Sequence, residues 1–97
     1  MKIFQSRSFE RKVKKFTKQE KYVLDDEIKN IAENLTIGTE KKGDLRGVFV
    51  HKFKIKTIQY LLSYRFVGDD LELIMIGAHE NYYNQYLRQF LPHLGMP

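Results

Sequence analysis

Cysteine is absent from the 97 residues. That excludes a disulfide framework and any thiolate zinc site, and it suits a reducing compartment. Long apolar runs are absent as well, so no segment suits a bilayer-spanning helix and no membrane partner is expected. Met1-Lys2-Ile3-Phe4 leads into charged residues, unlike a secretory signal, and the expected location is cytoplasmic. The three histidines lack zinc-site spacing and have no clustered carboxylates beside them, so no metal is expected. Gly43-Asp44-Leu45-Arg46-Gly47 lacks the lysine and glycine pattern of a phosphate loop. No serine sits in a nucleophile elbow, and no small-molecule cofactor is expected. Repeats, low-complexity tracts and linkers are missing too. The length suits one domain over 1–97, with room for a single core.

What is present is clustered positive charge, with a formal net charge of +5. Arg7, Arg11, Lys12, Lys14, Lys15, Lys18 and Lys21 crowd the first quarter of the chain. Acidic residues follow at Asp25, Asp26, Glu27 and Glu33, and lysines return at Lys41, Lys42, Lys52, Lys54 and Lys56. Such clustering favours an acidic partner: RNA, DNA, a ribosome or an acidic protein segment.

The apolar periodicity changes once along the chain. Residues 2–5 read as a short strand. Phe9, Val13 and Phe16 recur at helical spacing and predict a first helix with a basic outer face. Thr17-Lys18-Gln19-Glu20 fits a capping box and starts a second helix, whose stripe is Leu24, Ile28, Ile31 and Leu35. Asn34 and Gly38 are its stop signals. Residues 39–43 read as a polar loop. From Val48 the period is two: Phe49, His51, Phe53 and Ile55 point one way, and Val48, Val50, Lys52, Lys54 and Lys56 the other. Residues 58–66 form a second strand, Gly68-Asp69-Asp70 a hairpin turn, and 71–76 a third strand. Tyr82, Tyr86 and Phe90 predict a closing helix over 81–91, limited by Pro92. The fold class is α+β: helices on one face of a mainly antiparallel sheet, with the lysines on the other, partly open face.

Several of these side chains suit phosphodiester chemistry. Lys52 and Lys54 are same-face neighbours that can hold a phosphate and stabilise charge developing on it. The alternative is a solvated strand face that discourages edge pairing. Arg65 offers a fork that matches phosphate oxygens, or else an ion pair with Glu72 across the hairpin. His51 falls on the aromatic face, where a satisfied structural histidine is the usual outcome, unless a bulge reverses it. His79 follows the last strand in Gly77-Ala78-His79-Glu80-Asn81-Tyr82-Tyr83 and can exchange a proton near neutral pH, or cap a turn. Tyr82 and Tyr83 can stack on unpaired bases, whereas Tyr86 and Phe90 read as packing.

The element order, the Leu45-Arg46-Gly47 step into a strand, Leu61-Leu62-Ser63-Tyr64-Arg65 and the 76–83 ending together resemble the RelE/ParE superfamily of bacterial toxins. These are the toxin halves of type II toxin–antitoxin pairs, and the resemblance covers almost the whole chain. It implies a RelE-like fold, with an N-terminal strand and helical hairpin packed on the sheet. It also implies an endoribonuclease, an mRNA interferase that cuts mRNA, most often on the ribosome, and is neutralised by a cognate antitoxin. Lys52 and Lys54 match the family's middle-strand basic positions, Arg65 its central arginine, His79 the residue after the last strand and Tyr83 the trailing aromatic. Arg46, His51 and Tyr82 are further candidate RNA contacts; His51 is one residue out of phase with Lys52. The implied reaction is metal-free attack of a ribose 2′-oxygen on the adjacent phosphorus. Two rival readings stand beside it: a ParE-type poison of DNA gyrase, whose members generally lack the nuclease side chains, and a non-catalytic basic RNA- or protein-binding domain.

Overall fold

The chain begins and ends its described course on neighbouring strands. A computed structural model describes residues 1–79. The helix expected over 81–91, and with it Tyr82, Tyr83, Tyr86 and Phe90, lies outside the described residues. Strand β1 (Ile3–Gln5) leads into helices α1 (Arg7–Lys14) and α2 (Lys18–Glu33). A short strand β2 (Thr39–Glu40), a 3-10 turn at Gly43–Leu45 and a meander of β3 (Val48–Ile55), β4 (Ile58–Val67) and β5 (Asp70–Ala78) follow. The sheet order is β1-β5-β4-β3-β2, antiparallel except for β1 beside β5. The two helices therefore carry the chain from one sheet edge to the other, and the meander brings it back.

Local chemistry explains each helix. Ser6 caps α1 by accepting the Phe9 N–H at 3.0 Å, while its own hydroxyl donates to the Ile74 carbonyl of β5. The Ser6 N–H also donates to the Leu73 carbonyl, so the turn from strand to helix is tied to β5. The capping box of α2 is complete: Glu20 N–H donates to Thr17 Oγ1 at 3.1 Å, and Thr17 N–H to Glu20 Oε1 at 2.7 Å. The Thr17 N–H, and after it the Thr17 hydroxyl, hold the Glu20 carboxyl below the usual carboxylate range. Helix α2 stops at Glu33, with Asn34 as its C-cap. Leu35, expected on the apolar stripe, lies beyond the helix and is exposed.

Phe9, Leu24 and Ile31 from the helices pack on Phe53, Ile55, Leu62, Tyr64, Leu71, Leu73 and Ile76 from the sheet. The aromatic face of β3 is thus the core face, as alternation predicts. The second face has an apolar cluster of its own, with Val48, Val50, Leu61, Ile74 and Met75 buried. Only the later half of β3 is amphipathic, so only Lys52 and Lys54 leave that strand's second face exposed.

Two features depart from the sequence reading. The expected loop over 39–43 begins with β2, which pairs with β3 through Thr39 opposite Val50 and Glu40 opposite Phe49. Two residues carry too little periodicity to announce a strand. The second is a bulge: Ser63 faces Met75 but Tyr64 faces Leu73, which leaves Ile74 as the extra residue of β5. Leu71 and Leu73 point to the helices, and beyond the bulge Ile76 does. The bulge thereby reverses the facing of everything that follows it.

Gly38 is more than a stop signal. Its N–H donates to the Tyr64 hydroxyl at 3.0 Å, and that hydroxyl donates to the Leu35 carbonyl at 3.3 Å. Burial pushes the Tyr64 phenol up, opposed by the Gly38 bond, so it stays a neutral donor in this link between the α2–β2 connection and β4. A Cβ on Gly38 meets the Tyr64 hydroxyl at 2.7 Å and the Val50 carbonyl oxygen at 2.9 Å. Gly38→Ala is therefore expected to lower the unfolding free energy by about 1–3 kcal/mol in a urea titration, the usual cost of overpacking.

Candidate functional site

The register brings three of the candidate residues to one end of the exposed face. Lys52 lies opposite Leu61, and Leu61 opposite Gly77. One row further on, Lys54 lies opposite Gln59. Tyr60 pairs with Ala78, so His79, the next residue, stands at the level of Gln59. Lys54, Gln59 and His79 form one row across three neighbouring strands at the rim of the sheet. Two strand spacings put Lys54 and His79 about 10 Å apart at the backbone, a gap that a phosphodiester and a lysine side chain can fill. Lys52, Lys54 and His79 are all exposed. Thr57, Ile58, Gln59, Ala78 and His79 line a depression of about 330 Å³.

The bulge at Ile74 makes this row. With uninterrupted alternation, Gly77 and position 79 would share the helix-side parity of Leu71 and Leu73. With the extra residue they share the parity of Met75, on the lysine side. Sequence reasoning missed this step because Leu71-Glu72-Leu73-Ile74-Met75-Ile76 is apolar at nearly every position, and a run apolar on both faces hides a change of phase.

Arg65 is not brought to the row. It sits six residues from Gln59 along β4, about 20 Å away at strand spacing. Its Nε lies 2.5 Å from Glu72 Oε1, and the two residues pair directly across β4 and β5. The ion-pair alternative describes its contacts. No cation stands between Lys52 and Gly77, because Leu61 fills that position and is buried.

His51 lies on the opposite side of the sheet from Lys52. It is 9% exposed, and its Nε2 donates to Glu27 Oε1 of α2 at 2.6 Å. Its ring stacks on Phe53 at 5.9 Å. Of the two, Lys52 lies on the same side of the sheet as the row, and His51 ties α2 to β3. Nothing in the sequence pairs Glu27 with His51, because the contact spans two elements of different period. Arg46 is exposed, just before β3 and at the far end of the sheet from His79. Tyr82 and Tyr83 lie outside the described residues. Among those residues no three His, Asp or Glu side chains come together as metal ligands, and no helix is long and apolar enough to cross a membrane.

The family described as the ParE-like toxin of type II bacterial toxin–antitoxin systems matches residues 3–87. The chain belongs to that family. The toxin's fold is similar to that of the isolated E. coli RelE toxin, with a TM-score of 0.63, 15% identity, and 93% of this chain and 98% of that one covered. The intact E. coli RelBE toxin–antitoxin complex gives a TM-score of 0.62 at 15% identity, covering 78% of this chain and 93% of that one. At such identity the likeness concerns the fold. No curated protein matches the sequence.

The two faces of β3 lead to different expectations for neighbouring residues. His51→Ala leaves the Glu27 carboxylate without its partner and is expected to cost about 1–3 kcal/mol of stability. Lys52→Ala, one residue on but exposed, is expected to change it by less than about 0.5 kcal/mol. Chemical unfolding of both variants checks the contrast.

Proposed function

We propose that the toxin is an endoribonuclease that cuts mRNA, on the ribosome, by metal-free attack of a ribose 2′-oxygen on the adjacent phosphorus. The observation that carries this reading is the row of exposed Lys54, half-buried Gln59 and exposed His79, with exposed Lys52 one row above it. Such a reaction needs a base for the 2′-hydroxyl, positive charge around the phosphorane-like state, and an acid for the leaving 5′-oxygen. His79 serves as acid or base, since imidazole exchanges a proton near neutral pH. Lys52 or Lys54 supplies the complementary group, and their ammonium charges stabilise the phosphorus centre. The 2′-oxygen–phosphorus bond forms as the phosphorus–5′-oxygen bond breaks, and the acid's proton goes to the departing oxygen.

Arg65, held by Glu72 and about 20 Å from His79, is better suited to a phosphate elsewhere along the RNA than to the scissile one. Arg46 is an exposed cation for the same backbone. Tyr83 and Tyr82 keep the role the resemblance implies for a trailing aromatic, stacking on a base. A cognate antitoxin is the natural partner; the similar RelBE structure is a toxin–antitoxin complex.

A second reading is favoured by the family's description as ParE-like and by Leu61, which leaves one position of the Lys52 row without a cation. On that reading the toxin poisons DNA gyrase. Purified toxin distinguishes the two: cuts in ribosome-bound mRNA on one side, gyrase-dependent DNA breaks on the other.

On the first reading, His79→Ala is expected to slow mRNA cleavage about 100-fold or more, the usual worth of a positioned acid or base. Lys54→Ala is expected to slow it at least about 10-fold through weaker charge stabilisation. Both are measured by mapping mRNA 5′ ends after induction in a bacterium. Full cleavage and full growth inhibition by His79→Ala would sink the assignment.

A further inference from the structure

A groove of about 310 Å³ runs between the C-terminal end of α1 and the rim of the sheet, lined by Lys12, Lys15, Phe16, Tyr60 and residues 76–78. It shares Ala78 with the depression that His79 and Gln59 line. The two hollows therefore meet at the residue before His79. We propose that this groove is a phosphate-binding subsite for the RNA strand next to the scissile bond; the proposal rests on the ribonuclease reading above.

The groove's chemistry suits a single-stranded nucleic acid. Lys12 and Lys15 supply two ammonium groups from one helix end. Their ordinary service there is to complement the α1 dipole. That service does not require a cleft beneath them, nor an aromatic floor. Tyr60 is fixed from two sides, by Phe16 in an edge contact at 5.7 Å and by Phe53 stacked at 6.0 Å. Burial, and then the Glu20 carboxylate, push its phenol up, so the hydroxyl stays a donor at neutral pH. Glu20 also lines the groove, but both its capping bonds are made within α2. Lys56 lies near enough to act on its charge. Lys12, Lys15 and Lys56 against Glu20 leave the groove positive.

An acidic protein helix fits less well. Docking a helix takes a continuous apolar stripe, and among the described residues the apolar side chains lining this groove are Phe16, the half-buried Tyr60, Ala78 and Ile76, the last fully buried beneath the surface. The groove lies on the helix side of the sheet and shares Ala78 with the depression beside the candidate catalytic row, so a cut strand would reach it around the sheet rim.

The test is a kinetic comparison of wild type, Lys12→Gln/Lys15→Gln and Tyr60→Phe on ribosome-bound mRNA. Each is run with full-length mRNA and with mRNA trimmed of flanking phosphate charge, by a neutral methylphosphonate link on one side of the cut or the other, which the ribosome still holds. For the double variant, KM on full-length RNA is expected to rise about tenfold or more, while the rate at saturating RNA falls less than about threefold. Its log KM is expected to depend on log salt with a slope smaller by about 1.4, or 0.7 for each single-strand phosphate that a lysine no longer neutralises. Trimming on one side is expected to raise the wild-type KM and leave the double variant's unchanged. Tyr60→Phe, which keeps the ring, is expected to raise KM severalfold.

An unchanged KM and salt slope, or a defect that persists equally on trimmed RNA, overturns the subsite while the ribonuclease reading stands. Unchanged RNA kinetics with weakened binding of an acidic antitoxin segment would make the groove a protein-docking surface instead, and overturns it as well. Absence of cleavage by wild type refutes the ribonuclease reading and the subsite with it.

Discussion

The pairing of β3 on β4 has to be held to one register, because a slip of one residue exchanges the two faces of a strand. In the observed register His51 meets Glu27 beneath α2, and Lys52 and Lys54 are exposed on the other side. A slipped β3 would drive two ammonium groups under the helices, at a desolvation cost well beyond what a small core can absorb. Two-residue turns close both hairpins, Lys56-Thr57 between Ile55 and Ile58, and Gly68-Asp69 between Val67 and Asp70. Lys56 and Gly68 both take positive φ, 57° and 62°, so the turns themselves constrain the pairing. Phe49 stacked on Tyr64 at 5.5 Å, and the Tyr64 hydroxyl bonded to Gly38 and Leu35, pin the far end.

Charge follows from that register. Positive groups excluded from the core collect on the rim of the second face and on the helix α1 end, the two surfaces that meet at Ala78. The remainder of the second face is buried apolar cluster, which confines the free cations of β3 to its later half. The bulge at Ile74 then sets His79 in phase with the lysine side. Lysines and a histidine thereby converge on one sheet end, which is the physical basis for the proposal that this member of the ParE-like family is a nuclease.

Much of the fold could be read from local pattern. The Thr17–Glu20 capping box, the α2 stripe as far as Ile31 and the alternation in β3 each depend on neighbours within a few residues, and each stands in the structure. What escaped reading depends on distant partners. β2 is a strand only because Val50 and Phe49 lie beside it. Ser6 acts through Ile74, and Glu27 through His51, across 68 and 24 positions of sequence. Leu35 was expected on the helix, yet its carbonyl serves Tyr64 instead. Within the site, Lys52, Lys54 and His79 were legible as types and spacing. Their common row depends on an unpaired residue in a nearly all-apolar strand, whereas the pairing of Arg65 with Glu72 was one of the two outcomes its sequence position offered.

The most direct measurement is the chemistry of the cut ends. Purified toxin is incubated with ribosome-bound mRNA in the presence of a transition-metal chelator that spares the magnesium the ribosome needs, and both new termini are identified. Attack by the neighbouring 2′-oxygen predicts cleavage that persists without divalent metal added for catalysis, leaving a 2′,3′-cyclic phosphate on one fragment and a 5′-hydroxyl on the other. Fragments ending in a 3′-hydroxyl and a 5′-phosphate, or intact mRNA beside gyrase-dependent DNA breaks, would contradict it.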